Sequence, residues 1–332
     1  MSALTAGDVV YPGLAALPGL DQVRALVAGR APAPPVARLT GRRLVAASVG
    51  SATCTLPATE WVLGPKGAMH PGLLAFAADG AAIATVVSAL PARVLCTTAE
   101  LSLTFLGPPP PAGGVITARG DLMPLDDAMG LVGVHVRDAN DRLVAHGTSR
   151  CSVFSPIAES IRLPAPARPA QDTQPDPYQR PAPDRDDGSA PADADGLERL
   201  RARLRGELSS PPVDQLTGID LVSADPGRVV FALAASPWLR NEWGTVYGGM
   251  LTLLAKSAAA AAGQTTAPAG TGFNALDIKI NFLRPVPADG QDIVATGTVQ
   301  HRGKRLAIAT SELMHGDVRV AVLTGSTALM PP

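Results

Sequence analysis

Two stretches of this sequence carry groups able to do chemistry. The first, Asn241-Glu242-Trp243-Gly244-Thr245-Val246-Tyr247-Gly248-Gly249, leads into an Ala/Leu-rich run that is apolar nearly all round, as a helix enclosed by protein is. Paired glycines at a helix start expose backbone N–H groups that the first turn cannot use, with the positive end of the helix dipole behind them. Such a place suits an anion or a developing oxyanion. Alone, the pair also reads as a tight turn where glycine permits close packing. The second stretch is Gly67-Ala68-Met69-His70-Pro71-Gly72, followed nine residues after His70 by Asp79 amid Ala, Leu and Phe. A carboxylate in apolar surroundings loses hydration, so it needs a partner or a raised pKa, and either makes it a site candidate.

These stretches occupy equivalent places in a duplicated chain. Slid by 177 positions, residues 19–120 fall on 196–297 without a gap and are identical at 35 of 102 positions. Matched segments include Leu39-Thr40-Gly41 with Leu216-Thr217-Gly218, Trp61 with Trp238, and Phe105-Leu106 with Phe282-Leu283. A period this long exceeds a solenoid unit, so each copy is expected to be a domain. We read residues 1–155 as the first domain, 156–195 as a linker and 196–332 as the second. The linker is dense in Pro, Ala and Asp and nearly free of large apolar side chains, so it buries too little surface to offset its ordering entropy. Within each copy a short amphipathic helix (20–28; 197–205) precedes two strands (42–47 and 52–56; 219–224 and 229–233), a long apolar helix and four more strands. In the second copy these four span 274–283, 291–299, 305–314 and 318–329, with a turn at His315-Gly316-Asp317. This order predicts an α+β fold with a central helix against an antiparallel sheet.

Composition narrows the function classes. Hydrophobic residues make up 46% of the chain, charged residues 17%, and the net charge is −1, which argues against a polyanionic partner such as nucleic acid. The start, MSALTAGDVVYPG, has no basic region followed by an apolar stretch, and no apolar run is read as reaching the roughly 20 residues of a membrane span. A cytoplasmic protein is expected. Cys54, Cys96 and Cys151 all lie in the first copy, with Phe231 and Phe273 opposite two of them, and read as buried filler. The five histidines show no metal-ligand spacing, so no metal is expected.

The phrase NEWGTVYGGMLTLLAKSAAAAA with ALDIKINFLRPVPADG, and its first-copy counterpart ending LTFLGP, resembles the phenylacetate-pathway (PaaI-like) branch of hotdog-fold thioesterases. The family pattern is an Asn, six residues on a His-Gly-Gly, and nine residues on an Asp or Glu in the central helix. The resemblance covers both copies and implies two tandem hotdog domains, each a sheet wrapped around its helix, paired within the chain. It also implies sites between two units, one giving the Asn and a Gly N–H to hold the thioester carbonyl, the other the carboxylate. By that pattern one site unites Asn241, Gly248 and Gly249 with Asp79, and Thr98 falls where relatives carry a Ser or Thr that orients the attacking water. Tyr247 replaces the family His. The other site unites Gly64, His70, Pro71 and Gly72 with Lys256, and lacks the side-chain amide, the backbone donor and the carboxylate.

The resemblance thus implies acyl-CoA hydrolysis at one composite site per chain. Asp79 acts either as general base on water or as nucleophile forming an anhydride. Coenzyme A enters as part of the substrate, without a further cofactor, and Arg284, Arg302, Lys304 and Arg305 are candidates for its phosphates. A solvated basic turn is the ordinary reading of those four. Trp61 and Trp238 read as core or interface packing. The competing class is an acyl-CoA or acyl-carrier binding protein that has lost catalysis; hydratase chemistry is the weaker third, for want of a paired Asp and His. A homodimer of such chains is a further expectation.

Overall fold

Residues 12–64, 67–160, 175–183 and 194–330 are described by the computed structural model. The N-terminal stretch read above and the remaining parts of the linker lie outside the described residues.

The first copy folds as α1 (Gly19–Val27), α2 (Pro35–Thr40), β1 (Arg43–Ser48), β2 (Ser51–Pro57), α3 (Pro71–Ala89), β3 (Cys96–Phe105), β4 (Val115–Leu125), β5 (Met129–Arg137) and β6 (Leu143–Val153). The second repeats the order as α4 (Gly196–Leu204), α5 (Pro212–Thr217), β7 (Ile219–Asp225), β8 (Arg228–Ala234), α6 (Gly248–Gln264), β9 (Gly272–Phe282), β10 (Asp292–Arg302), β11 (Leu306–His315) and β12 (Val318–Met330). The expected strands and long helices form within a few residues of the predicted bounds. The helices α2 and α5 were not foreseen, although each starts on Pro and ends at a left-handed glycine, Gly41 (φ 79°) or Gly218 (φ 80°), as such short helices do.

All twelve strands join one antiparallel sheet in the order β1-β2-β4-β5-β6-β3-β9-β12-β11-β10-β8-β7. The two copies meet at the antiparallel β3–β9 pair, where Ser102 lies opposite Lys279 and Glu100 opposite Asn281. Ser102 and Lys279 are themselves 177 positions apart, so a local two-fold axis passes between them.

The long helices α3 and α6 pack on each other about the same axis. A β-carbon on Gly72 would lie 3.0 Å from Cα of Leu253, and one on Gly249 would lie 2.9 Å from Cα of Phe76; the two contacts are related by the repeat. Glycine in the strands serves the same close approach: a β-carbon on Gly120 would run into the Thr85 hydroxyl, and one on Gly297 into the carbonyl of Ala258, on the helix above. Both helices are buried almost throughout, and each large side chain enclosed there, Phe76 or Leu253 for example, stabilises by about 1.5–3 kcal/mol.

Burial also revises the expectation about membrane spans. Pro71–Ala89 is long and apolar enough to cross a bilayer by length and composition, but most of it is buried inside the protein, which accounts for its apolarity. Cys54, Cys96 and Cys151 are free and buried. The tryptophans lie at joints between segments. Trp61 Nε1 donates to the Arg180 carbonyl (2.8 Å) of the linker, and Trp238, 39% exposed, takes the Arg38 guanidinium 5.9 Å from its ring centre. Arg38 in turn pairs with Asp176 (2.8 Å), so residues 175–183 are tied to the first copy.

Candidate active site

How α3 and α6 begin decides what each can bind. His70 caps α3: its Nδ1 accepts from the Gly72 N–H (3.1 Å), and Pro71 at the first helical position has no N–H. Tyr247, at the same place before α6, makes no side-chain cap. The Gly248 N–H therefore has no acceptor among the described residues, and the Gly249 N–H helps to stabilise the Asp79 carboxylate. One orphan donor, the Gly248 N–H, is thus left at the positive end of a 17-residue helix for a group that carries or develops negative charge.

Asp79 reaches these donors from the other copy. It is 2% exposed on α3, and its Oδ2 lies 3.2 Å from where a β-carbon on Gly248 would stand. Thr98 on β3 donates its hydroxyl to Asp79 Oδ1 (2.7 Å), fixing the carboxylate so that the second oxygen faces Gly248. Burial raises the Asp79 pKa, opposed by the Thr98 hydroxyl, the Tyr247 hydroxyl, the Arg42 charge and the Gly249 N–H.

Asn241 organises the loop before α6. Its Oδ1 accepts from the Trp243 N–H (2.9 Å) and the Thr245 N–H (3.2 Å), and its Nδ2 donates to Thr245 Oγ1 (3.0 Å). One of its two amide hydrogens stays available. Gly244 turns the loop at φ 83°, and Val246 and Tyr247 fasten it through N–H bonds to the carbonyls of Val286 and Leu239.

Tyr247 points inward. Its hydroxyl donates to the Phe76 carbonyl (2.9 Å), its ring meets Phe76 edge to face at 4.8 Å, and the Arg42 guanidinium lies 5.0 Å from its centre. Arg42, 4% exposed, also pairs with Glu242 (3.4 Å). Sequence reasoning missed Arg42 and Glu242. The available signal was a cation directly after Leu39-Thr40-Gly41, where the second copy has Ile219.

The four basic candidates do not come together. Arg284 donates to the Arg319 carbonyl (3.2 Å), two residues before Val286 and hence near the Asn241 loop. Arg302, Lys304 and Arg305 lie at the other end of α6. Across the sheet Arg302 is in line with Ala307, Thr327 and Ala275, and the Arg305 carbonyl accepts from Leu329. The β10–β11 turn lies on the Ala275 side of the sheet, with β12 between β11 and β9, whereas the turn on the Thr98 side carries Asp126 and Asp127. Arg284 therefore stands apart from Arg302, Lys304 and Arg305.

The mirror-related place, with Gly64, His70, Pro71, Lys256 and Ala275, lines a cavity of about 580 Å³. Among the described residues, no group of three His, Cys, Asp or Glu side chains is placed to hold a metal ion.

Residues 244–322, which include Tyr247, Gly248 and Gly249, match the Thioesterase superfamily. Acyl-coenzyme A thioesterase 13 of Homo sapiens is 33% identical over 117 residues, 35% of this chain and 82% of that protein. Acyl-coenzyme A thioesterase PaaI of Escherichia coli is 31% identical over 106 residues, 32% of this chain and 73% of that protein. A candidate thioesterase from Novosphingobium aromaticivorans shares the fold over 87% of this chain and 98% of its own, with a TM-score of 0.55 at 17% identity.

Proposed function

The chain belongs to the thioesterase superfamily and is a thioester hydrolase, and we propose that it cleaves acyl-coenzyme A at one composite site to which its two halves contribute different groups. In this reading residues 1–155 and 196–332 are two hotdog units joined by the 156–195 linker and paired as an intrachain pseudo-dimer. The two-fold register of Ser102 against Lys279 supports that pairing. The observation that carries the site assignment is the placement of Asp79, from one half, against Gly248 and Gly249, from the other.

The thioester carbonyl oxygen accepts from the Gly248 N–H and from the remaining Asn241 amide hydrogen. Both bonds strengthen as the carbonyl oxygen becomes negative, and loss of one such donor costs about 10² to 10³ in rate. Asp79 Oδ2 either takes a proton from the attacking water and passes it to the departing sulfur as the C–S bond breaks, or bonds directly to the carbonyl carbon, expelling coenzyme A as the thiolate and leaving an anhydride that water then hydrolyses to the acid and the free carboxylate. Burial makes Asp79 a stronger base than a solvated carboxylate, an effect that Thr98, Tyr247 and Arg42 oppose. Thr98 serves this step by holding the carboxylate. Tyr247, in place of the family His, anchors the start of α6 to α3 through the Phe76 carbonyl.

Turnover of a panel of acyl-CoAs by the wild type and by Asp79→Asn tests the proposal. Hydrolysis lost with Asp79 and binding retained supports it; equal turnover by both proteins removes Asp79 from the reaction.

A further inference from the structure

The cavity at the mirror-related place lacks what hydrolysis needs, yet its chemistry points to a ligand. It measures about 580 Å³, within the range of pockets that enclose small organic molecules. Its wall is largely apolar, with Pro108, Leu208, Phe231, Phe273 and Met330 among its lining residues. Lys256 also lines it, at the α6 position equivalent to Asp79, and is only 3% exposed.

That ammonium group is unmatched. Among the described residues Lys256 makes no hydrogen bond or ion pair, and Asp277 acts on it only from beyond ion-pair distance. Burial lowers its pKa to about 8, so it still carries most of its charge at neutral pH. The other groups nearby offer no compensation. Arg203, on the cavity wall, is taken by Asp214 (2.9 Å). His70 is neutral, its pKa lowered to about 3 by burial and by Lys256. Its Nδ1 accepts from Gly72, so by hydrogen-bond assignment Nε2 carries the proton and faces Ser257 Oγ (3.4 Å). A buried, unpaired cation in an apolar wall is costly, and an anion with an apolar body would relieve both deficits.

We propose that this cavity is a non-hydrolytic binding site for a carboxylate borne on an apolar chain, the carboxylate on Lys256 and the chain among Phe231, Phe273 and Met330. The ligand is of the chemical class that thioester hydrolysis releases, and as a free carboxylate it presents no thioester bond to cleave. The proposal does not rest on the assignment of Asp79.

Calorimetric titration of the full chain with dodecanoate and with dodecan-1-ol tests it. Wild type is expected to bind dodecanoate, Lys256→Met to bind it about tenfold or more weakly with dodecan-1-ol unaffected, and Ala260→Trp, which fills the cavity, to bind neither. Lys256→Gln reads the same charge dependence should the Met variant not fold. In Asp79→Asn the dodecanoate affinity is expected to persist, which separates this site from the hydrolytic one. Absence of dodecanoate binding by wild type, or an affinity unchanged by removal of the Lys256 charge, overturns the proposal.

Discussion

The Thr98 hydroxyl donates to Asp79 Oδ1 at 2.7 Å, joining the first strand after the helix to the only charged side chain within that helix. This bond lowers a pKa that burial raises. Thr98→Val is therefore expected to raise the Asp79 pKa further and move the acid limb of the kcat/KM profile to higher pH, with Thr98→Ser close to wild type. An unmoved acid limb contradicts the assigned role.

Asp79 should also cost stability. Its pKa in the folded protein is raised above the unfolded value of about 4, so the fold binds more protons than the unfolded chain between the two values and loses stability as pH rises through them. Asp79→Asn is expected to raise Tm at pH 7 while abolishing turnover, and the gain should fade below about pH 4. Thermal melts across that range check the sign.

Lys256 gives the opposite slope. Its folded pKa of about 8 lies below the ordinary value of 10.5, so stability should rise with pH between those two values. Below pH 8 the penalty is on the order of 3 kcal/mol, and Lys256→Met is expected to raise Tm there, with the difference shrinking above about pH 10. A Tm lowered by the substitution at neutral pH means that a partner holds the charge.

Gly248 can be tested with a precedent from the chain itself. Pro71 occupies the same first helical position in α3, so Gly248→Pro is compatible with helix initiation and removes only the N–H there, apart from its ring. Rates are expected to fall about 10² to 10³. Gly248→Ala, which adds the β-carbon 3.2 Å from Asp79 Oδ2 but keeps the N–H, controls for crowding and should lose much less.

Much of this arrangement was legible before the structure because duplication turns one sequence into two aligned ones. The difference between Asp79 and Lys256, or between Pro71 and Gly248, singles out these positions without any geometry. Long-range partners were not legible in the same way. Arg42 reaches Tyr247 and Glu242 across about 200 positions, and nothing local to Arg42 announces a buried site cation. The separation of Arg284 from the basic turn at Arg302, Lys304 and Arg305 was not legible either, because proximity in sequence does not say which end of α6 a residue adjoins. The cavity at Lys256 escaped for a related reason: loss of catalytic groups can be read from residue types, whereas empty volume requires packing.

The account depends on Asp79 and Gly248 serving one site. The direct measurement is kcat/KM on an acyl-CoA for Asp79→Asn, Gly248→Pro and the double variant. One shared site predicts that either substitution alone removes all but roughly 1% of turnover and that the double variant is little worse than the singles. Two independent sites would instead leave about half of the turnover after either substitution and remove it only when both are made, and that result contradicts the account.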